Sequence, residues 1–196
     1  MLERIQKYRR DLHQIPELEL ELPKTQRYLQ EAIRDLPCSL SSPIPSSVVA
    51  FFDAGRKESI AFRSDMDALP VTEATGRAFA SRHPGCMHAC GHDGHMAMLL
   101  EFAHQLSAYY KELPHNVVLI FQPGEEIGQG ARTFIGEGCL DGADRIFGAH
   151  MCSSLDVGTI SLTPGPINAS CDYFRIVVQG KGAHVSTPQK GVDALY

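Results

Sequence analysis

Five consecutive apolar residues, Val117-Val118-Leu119-Ile120-Phe121, stand between Asn116 and Gln122. A run this short reads as a strand, and the side chains of a strand point alternately to opposite faces. With no polar alternation, both faces must be covered, which excludes a sheet with one wet side and asks for helices above and below. The rest of the chain supplies candidates for such layers. Val48-Val49-Ala50-Phe51-Phe52 and Ile60-Ala61-Phe62 flank Asp53-Ala54-Gly55 and read as a hairpin, and Arg145 to Ala149 and Val157 to Leu162 read as further strands. Helical spacing of apolar residues runs through Leu2, Ile5, Tyr8, Leu12 and Ile15 up to Pro16. It recurs through Tyr28, Leu29, Ile33 and Leu36 after Pro23, from His92 to Leu106, and from Gly128 to Leu140. Strands alternating with helices predict an α/β fold with a mostly parallel sheet in three layers. Loops are expected around Ser41 to Ser47 and from Thr72 to Gly91.

After Gly165-Pro166 the pattern changes. Asp172 to Val178 is amphipathic, and is followed by Gly180-Lys181-Gly182-Ala183-His184 and the start of a helix near Gly191. This predicts one domain over 1–171 and the first elements of a second over 172–196.

Eighteen basic residues against twenty-three acidic give a net charge of -5, so there is no basic excess to neutralise a nucleic-acid backbone. No apolar run approaches the roughly 18 residues of a membrane span. The first residues lack the apolar core of a leader peptide, and six scattered cysteines then read as thiols of a cytoplasmic protein rather than a disulfide framework.

Chemistry concentrates in four places, each after a predicted strand or before a helix, where ligands of open α/β sheets bind. These are Arg63-Ser64-Asp65-Met66-Asp67, the stretch from His88 to His95, Glu125-Glu126 and His150. Any one of them alone would pass for an ordinary polar loop. Together they project cysteine, histidine and glutamate from one end of one sheet, the ligand types of zinc, manganese, cobalt or nickel. A self-contained zinc site of Cys86, Cys90, His92 and His95 would crowd four ligands into ten residues, and its spacing does not match separated ligand pairs. Cys86 and His95 are therefore expected outside the ligand set. In Glu125-Glu126 one carboxylate can bind metal while its neighbour serves as a base. Asp65 or Asp67 can orient a ligand histidine, with an Arg63 ion pair as the alternative for Asp65. His13, His83, His104 and His115 read as ordinary surface or helix histidines, and Cys38, Cys139, Cys152 and Cys171 as packing residues.

Six motifs in order carry a resemblance: Arg9-Arg10-Asp11-Leu12-His13-Gln14-Ile15-Pro16-Glu17-Leu18, Asp65 to Pro70, Met87 to His95, Phe121 to Glu126, Ile146 to Met151, and Gly180 to His184. The chain resembles the N-terminal half of M20-family metallopeptidases of the amidohydrolase branch. The resemblance implies an incomplete α/β/α catalytic domain followed by the beginning of an α+β lid or dimerisation domain. It implies two divalent metal ions, manganese or zinc with cobalt and nickel as alternatives, held by Cys90, His92, Glu126 and His150. It places the general base on Glu125, a supporting aspartate on Asp67, and a substrate-contacting lid histidine on His184, reaching across a homodimer. The implied substrate is an N-acyl amino acid, with a dipeptide or a non-catalytic metal- or peptide-binding role as alternatives. Family members are roughly twice this length, and 196 residues alone are expected to be poorly stable and inactive.

Overall fold

The computed structural model describes residues 1–167, 169–170 and 174–195. The chain forms two compact units, Met1–Ser153 and Ser154–Tyr196.

The first unit is built on a five-stranded sheet in the order β1-β2-β4-β3-β5, with β1 Ser39–Ser41, β2 Val48–Phe52, β3 Ser59–Asp65, β4 Asn116–Gln122 and β5 Arg145–Gly148. The sheet is mixed. β3 runs parallel to both β4 and β5, whereas β2 is antiparallel to β4 and β1 antiparallel to β2. The predicted hairpin does not form, because β4 lies between β2 and β3 and pairs with both. The expectation of a mostly parallel sheet holds only for the β4-β3-β5 side.

Helices α1 Leu2–His13, α2 Pro23–Ile33 and α3 His92–Leu106 cover one face, and the short α4 Gly130–Gly136 lies on the other. β4 divides its side chains between the two. Val117, Leu119 and Phe121 join Val48, Ala50 and Phe52 beneath α1–α3, while Ile120 joins Ala61 and Phe134 of α4. Unbroken hydrophobicity in β4 thus reflects cover on both faces. Phe52, Leu119 and Phe121 are fully buried, and truncating such a phenylalanine to alanine typically costs about 3–5 kcal/mol. α2 begins with Pro23 at its first turn, and its free backbone N–H groups at Lys24 and Thr25 donate to the Glu17 carboxylate. Glu17 also accepts from Ala68 N–H through its backbone carbonyl, which ties the N-terminal motif to the loop after β3.

Other predicted boundaries shift. The helix expected over 128–140 is confined to Gly130–Gly136, since it closes on Gly136 and Gly138 follows at φ 69°. β1 overlaps the expected loop only at Ser41; its three residues are exposed, and Ser-Leu-Ser carries no apolar run to mark a strand. In the second unit, residues 157–162 and 174–178 are not strands, and Ile160, Leu162, Phe174 and Ile176 are exposed. Asp172 and Tyr173, with which the second domain was expected to begin, lie outside the described residues, as does Cys171. Near Gly191 only a 3-10 turn, Pro188–Lys190, is formed. Among the described residues no helix is long and apolar enough to cross a membrane.

Candidate metal centre

Because β3, β4 and β5 are parallel and in register, their carboxyl ends share one edge: Asp65 lies opposite Gln122, and Arg63 opposite Gly148. The segments leaving that edge carry Asp67, Glu125-Glu126 and His150. Gly91, at φ 118°, turns the chain into α3, so that Cys90 and His92 face the same point. Three overlapping sets, Cys90–His92–His150, Asp65–His92–His95 and His92–Glu125–Glu126, each place their ligand atoms within 4.8 Å of one another.

His92 is at the centre and fully buried. Its Nδ1–H donates to the Asp67 backbone carbonyl at 2.7 Å, which leaves the Nε2 lone pair pointing inward. There it faces carboxylate oxygens: Asp65 Oδ2 at 3.6 Å, Glu125 Oε2 at 3.8 Å and Glu126 Oε1 at 3.8 Å. His92 Nε2 and Glu126 Oε1 are both buried without a hydrogen-bond partner. A buried lone pair facing carboxylate oxygens is repulsive unless a cation lies among them. The donor set, one thiol, two imidazoles and carboxylates, is that of a zinc- or manganese-type ion, so these residues fit a metal.

The neighbours hold this geometry. Asp67, fully buried, accepts from Glu125 N–H at 2.9 Å and from Glu126 N–H at 3.0 Å with its two carboxylate oxygens. It therefore fixes the two glutamates through their backbone and His92 through its own carbonyl. Asp65 accepts from His95 Nδ1–H at 2.7 Å and from Arg63 at 2.9 Å. Burial alone would raise the Asp65 carboxyl, but the His95 hydrogen bond and the charges of His92 and Arg63 bring it down to about 2. His95 Nε2 in turn accepts from Met151 N–H at 2.9 Å, so both its nitrogens are engaged and it anchors the backbone beside His150. His150 Nδ1–H donates to Met151 O at 2.7 Å, and the Cys90 thiol lies 3.4 Å from His150 Nε2. Burial first, and then the Glu126, Glu125 and Asp65 carboxylates, push the Cys90 thiol up to about 11. Burial and the negative neighbours Glu125 and Asp67 also raise Glu126 above the usual carboxylate range, against the pull of His92.

The structure thus brings Cys90, His92, Glu125, Glu126 and His150 together, with Asp65 and Asp67 bracing them. Asp65 pairs with Arg63, and the histidine it supports is His95, which is not among the four expected ligands. His184 belongs to the second unit, where its exposed ring bonds to Ser186 at 2.8 Å. His13 corrects the sequence reading. It is buried, with Nδ1 2.7 Å from Asp93 Oδ2 and Nε2 3.3 Å from Glu73 Oε1, because its partners come from positions distant in sequence. Cys152 is exposed rather than a packing residue. Arg9 and Asp93 lie within the quoted motifs but carried no role of their own, and Glu73 lies outside them. Asp93 had a signal, an acid in the first turn of α3 next to His92, whereas Glu73 had none.

A family model described as Peptidase family M20/M25/M40 matches residues 61–195. The N-acetyl-L-cysteine deacetylase of Bacillus subtilis (strain 168) is 42% identical over 190 residues, covering 95% of this chain and 45% of that protein. The IAA-amino acid hydrolase ILR1-like 4 of Arabidopsis thaliana is 37% identical over 188 residues, covering 95% and 43%. Among solved structures, a dinuclear metal binding peptidase from the M20 family of Bacillus subtilis superposes with a TM-score of 0.80 at 38% identity, covering 84% of this chain and 47% of that one. The chain spans about half the length of the curated relatives it matches.

Proposed function

The chain belongs to peptidase family M20/M25/M40, and we propose that it provides the metal-bearing part of an amidohydrolase that cleaves the amide of N-acyl amino acids. The observation that carries this reading is the His92 Nε2 lone pair, buried beside carboxylate oxygens with no hydrogen-bond partner. In this proposal Cys90, His92, Glu126 and His150 hold two divalent ions, manganese or zinc. When bound, these acidify a water and polarise the acyl oxygen.

The remaining chemistry belongs to the protein's own groups. Glu125, on the more exposed side of the glutamate pair, takes the proton of the attacking water at its carboxylate. The water oxygen adds to the acyl carbon, the carbon–nitrogen bond breaks, and Glu125 returns the proton to the departing amine. Asp67 keeps Glu125 and Glu126 in place through their backbone N–H groups. The second unit's His184, supplied by the other protomer of a homodimer, serves the developing oxyanion. In this proposal the residues from 172 onward belong to a lid domain. A reduced thiol at Cys90 is required, which fits a cytoplasmic location.

Support comes from relatives whose names include deacetylases and an amino-acid conjugate hydrolase. The test is hydrolysis of a panel of N-acyl amino acids and dipeptides by the protein carrying this chain, with and without manganese or zinc. Metal-dependent release of free amino acid that falls by orders of magnitude in Glu125→Gln, while metal content persists, is the expected result. Parent-like turnover in Glu125→Gln would remove Glu125 as the base. Cleavage of dipeptides alone would move the substrate class.

A further inference from the structure

His13 lies at the end of α1, its side chain only 3% exposed, and both its nitrogens face carboxylates that are as deeply buried, Asp93 at 2% and Glu73 at 4%. Carboxylate oxygens accept, so an imidazole bonded to both must carry a proton on each nitrogen. Arg9, one helical turn earlier, adds an ion pair to the same Asp93 oxygen at 2.9 Å. The helix ends favour this arrangement: a cation sits at the C-terminus of α1 and an anion in the first turn of α3. The hydrogen bond that His13 donates to Asp93 raises the His13 imidazolium above its ordinary range, against the opposing effect of burial. The groups facing His13 are Asp93 and the neutral, buried His88 from the α3 side, Arg9 from α1, and Glu73 and Phe79 from the intervening loop.

Three separate pieces of chain therefore meet at one ring. Asp93 follows His92 directly. Glu73 accepts from Ser81 N–H at 2.6 Å, which closes the 73–81 loop on itself, and Phe79 packs under Arg9 and Arg10. An open cleft of ≈ 800 Å³ has Cys90 and His150 among its walls together with Arg9, His13, Glu73 and Phe79. The clamp thus stands between the proposed metal ligands and the wall of the cavity they open into.

We propose that His13 is a positioning residue: by bridging Asp93 and Glu73 it locks the 73–81 loop, as one wall of this cleft, to the first turn of α3, and so fixes the orientation of His92. The effect on the metal rests on the proposed function above, whereas the effect on the loop does not. Groups bonded directly to metal ligands typically carry about 10–100-fold in metal affinity when removed, and His13, acting through Asp93 next to His92, is placed at the low end of that range.

The test uses the full chain with cobalt(II) as the probe, read by the thiolate-to-cobalt absorption band, and amide hydrogen exchange of residues 72–82 and 92–95. In His13→Ala both segments exchange faster, cobalt binds about tenfold more weakly, and the band changes shape at a temperature where the chain remains folded. In Glu73→Ala only residues 72–82 exchange faster and cobalt affinity stays within about twofold, because the His13–Asp93 arm is intact. Parent-like cobalt affinity and band shape in folded His13→Ala overturns the inference. If His13→Ala does not fold, Glu73→Ala decides: unchanged exchange over 72–82 overturns it. A parent chain that binds no cobalt refutes the metal reading instead, and loop exchange in the two variants still decides whether the clamp exists.

Discussion

Asp67 is the residue whose removal should disturb the most with the smallest change in size. Its two carboxylate oxygens accept the backbone N–H groups of Glu125 and Glu126 at 2.9 and 3.0 Å, and the side chain is fully buried. Hydrogen bonds to a charged acceptor are worth about 1.5–3 kcal/mol each, and a buried donor left without a partner costs about 1–3 kcal/mol. Asp67→Asn keeps one acceptor but turns an NH2 group toward the other backbone N–H. It should therefore destabilise the metal-free chain by about 2–3 kcal/mol, and Asp67→Ala, which strands both donors, by about 3–5 kcal/mol. Neither should alter the denaturant slope, since the buried area is unchanged. The assay is urea unfolding followed by circular dichroism, with metal titration of each folded variant. Because Glu126 is held through the lost bonds, metal affinity should fall by at least about tenfold in both. An Asp67→Asn chain within about 0.5 kcal/mol of its parent and equal in metal affinity would refute the bracing role.

Further outcomes follow from the same geometry. A Cβ at Gly130 would sit 1.6 Å from the Pro123 carbonyl oxygen, so Gly130→Ala must displace the loop carrying Glu125-Glu126 and should cost about 3 kcal/mol or more, measured by thermal unfolding. Cys90, held near 11, is protonated at neutral pH and must lose its proton to bind metal, so calorimetric titration in buffers of different ionisation enthalpy should show about one proton released from this residue, absent in Cys90→Ser. The hydrogen bond from Arg4 first, against the opposing pull of burial, lowers Glu101 to about 2. A carboxyl whose folded value is depressed contributes stability above its unfolded value and loses it as pH falls toward the folded one, so unfolding free energy should drop between about pH 4.5 and 2, with a shallower drop in Glu101→Gln. A slope unaffected by that substitution would remove Glu101 from the account.

Local pattern made the elements visible where the physics is local. The α3 helix runs over the predicted His92–Leu106 because its apolar periodicity is contained within the segment and Gly91 stands directly before it. The doubly covered character of β4 was readable from its unbroken apolar run for the same reason. Strand partners were not readable. β2 and β3 look like a hairpin because they are neighbours in sequence, yet β4, more than fifty residues later, takes the place between them. Parallel pairing leaves no mark in the turn, so sequence adjacency misleads. The four loop clusters were legible as a group because a strand's carboxyl end is where ligands gather, and the structure does bring them to one edge. His13 was missed because a helical histidine looks the same whether its partners are water or two carboxylates sixty and eighty residues away. In the second unit, apolar runs such as Val157 to Leu162 suggested strands. A strand needs a hydrogen-bonded neighbour as well as propensity, and among the described residues these runs have none.

X-ray absorption at the metal edge of the zinc-loaded chain reads whether Cys90 and His92 bind the ion. One sulfur at about 2.3 Å and nitrogen or oxygen neighbours at about 2.0–2.2 Å are expected, with the sulfur shell lost in Cys90→Ser and imidazole scattering reduced in His92→Ala. A zinc-loaded chain with no sulfur neighbour, or one whose sulfur shell survives in Cys90→Ser, would contradict this ligation.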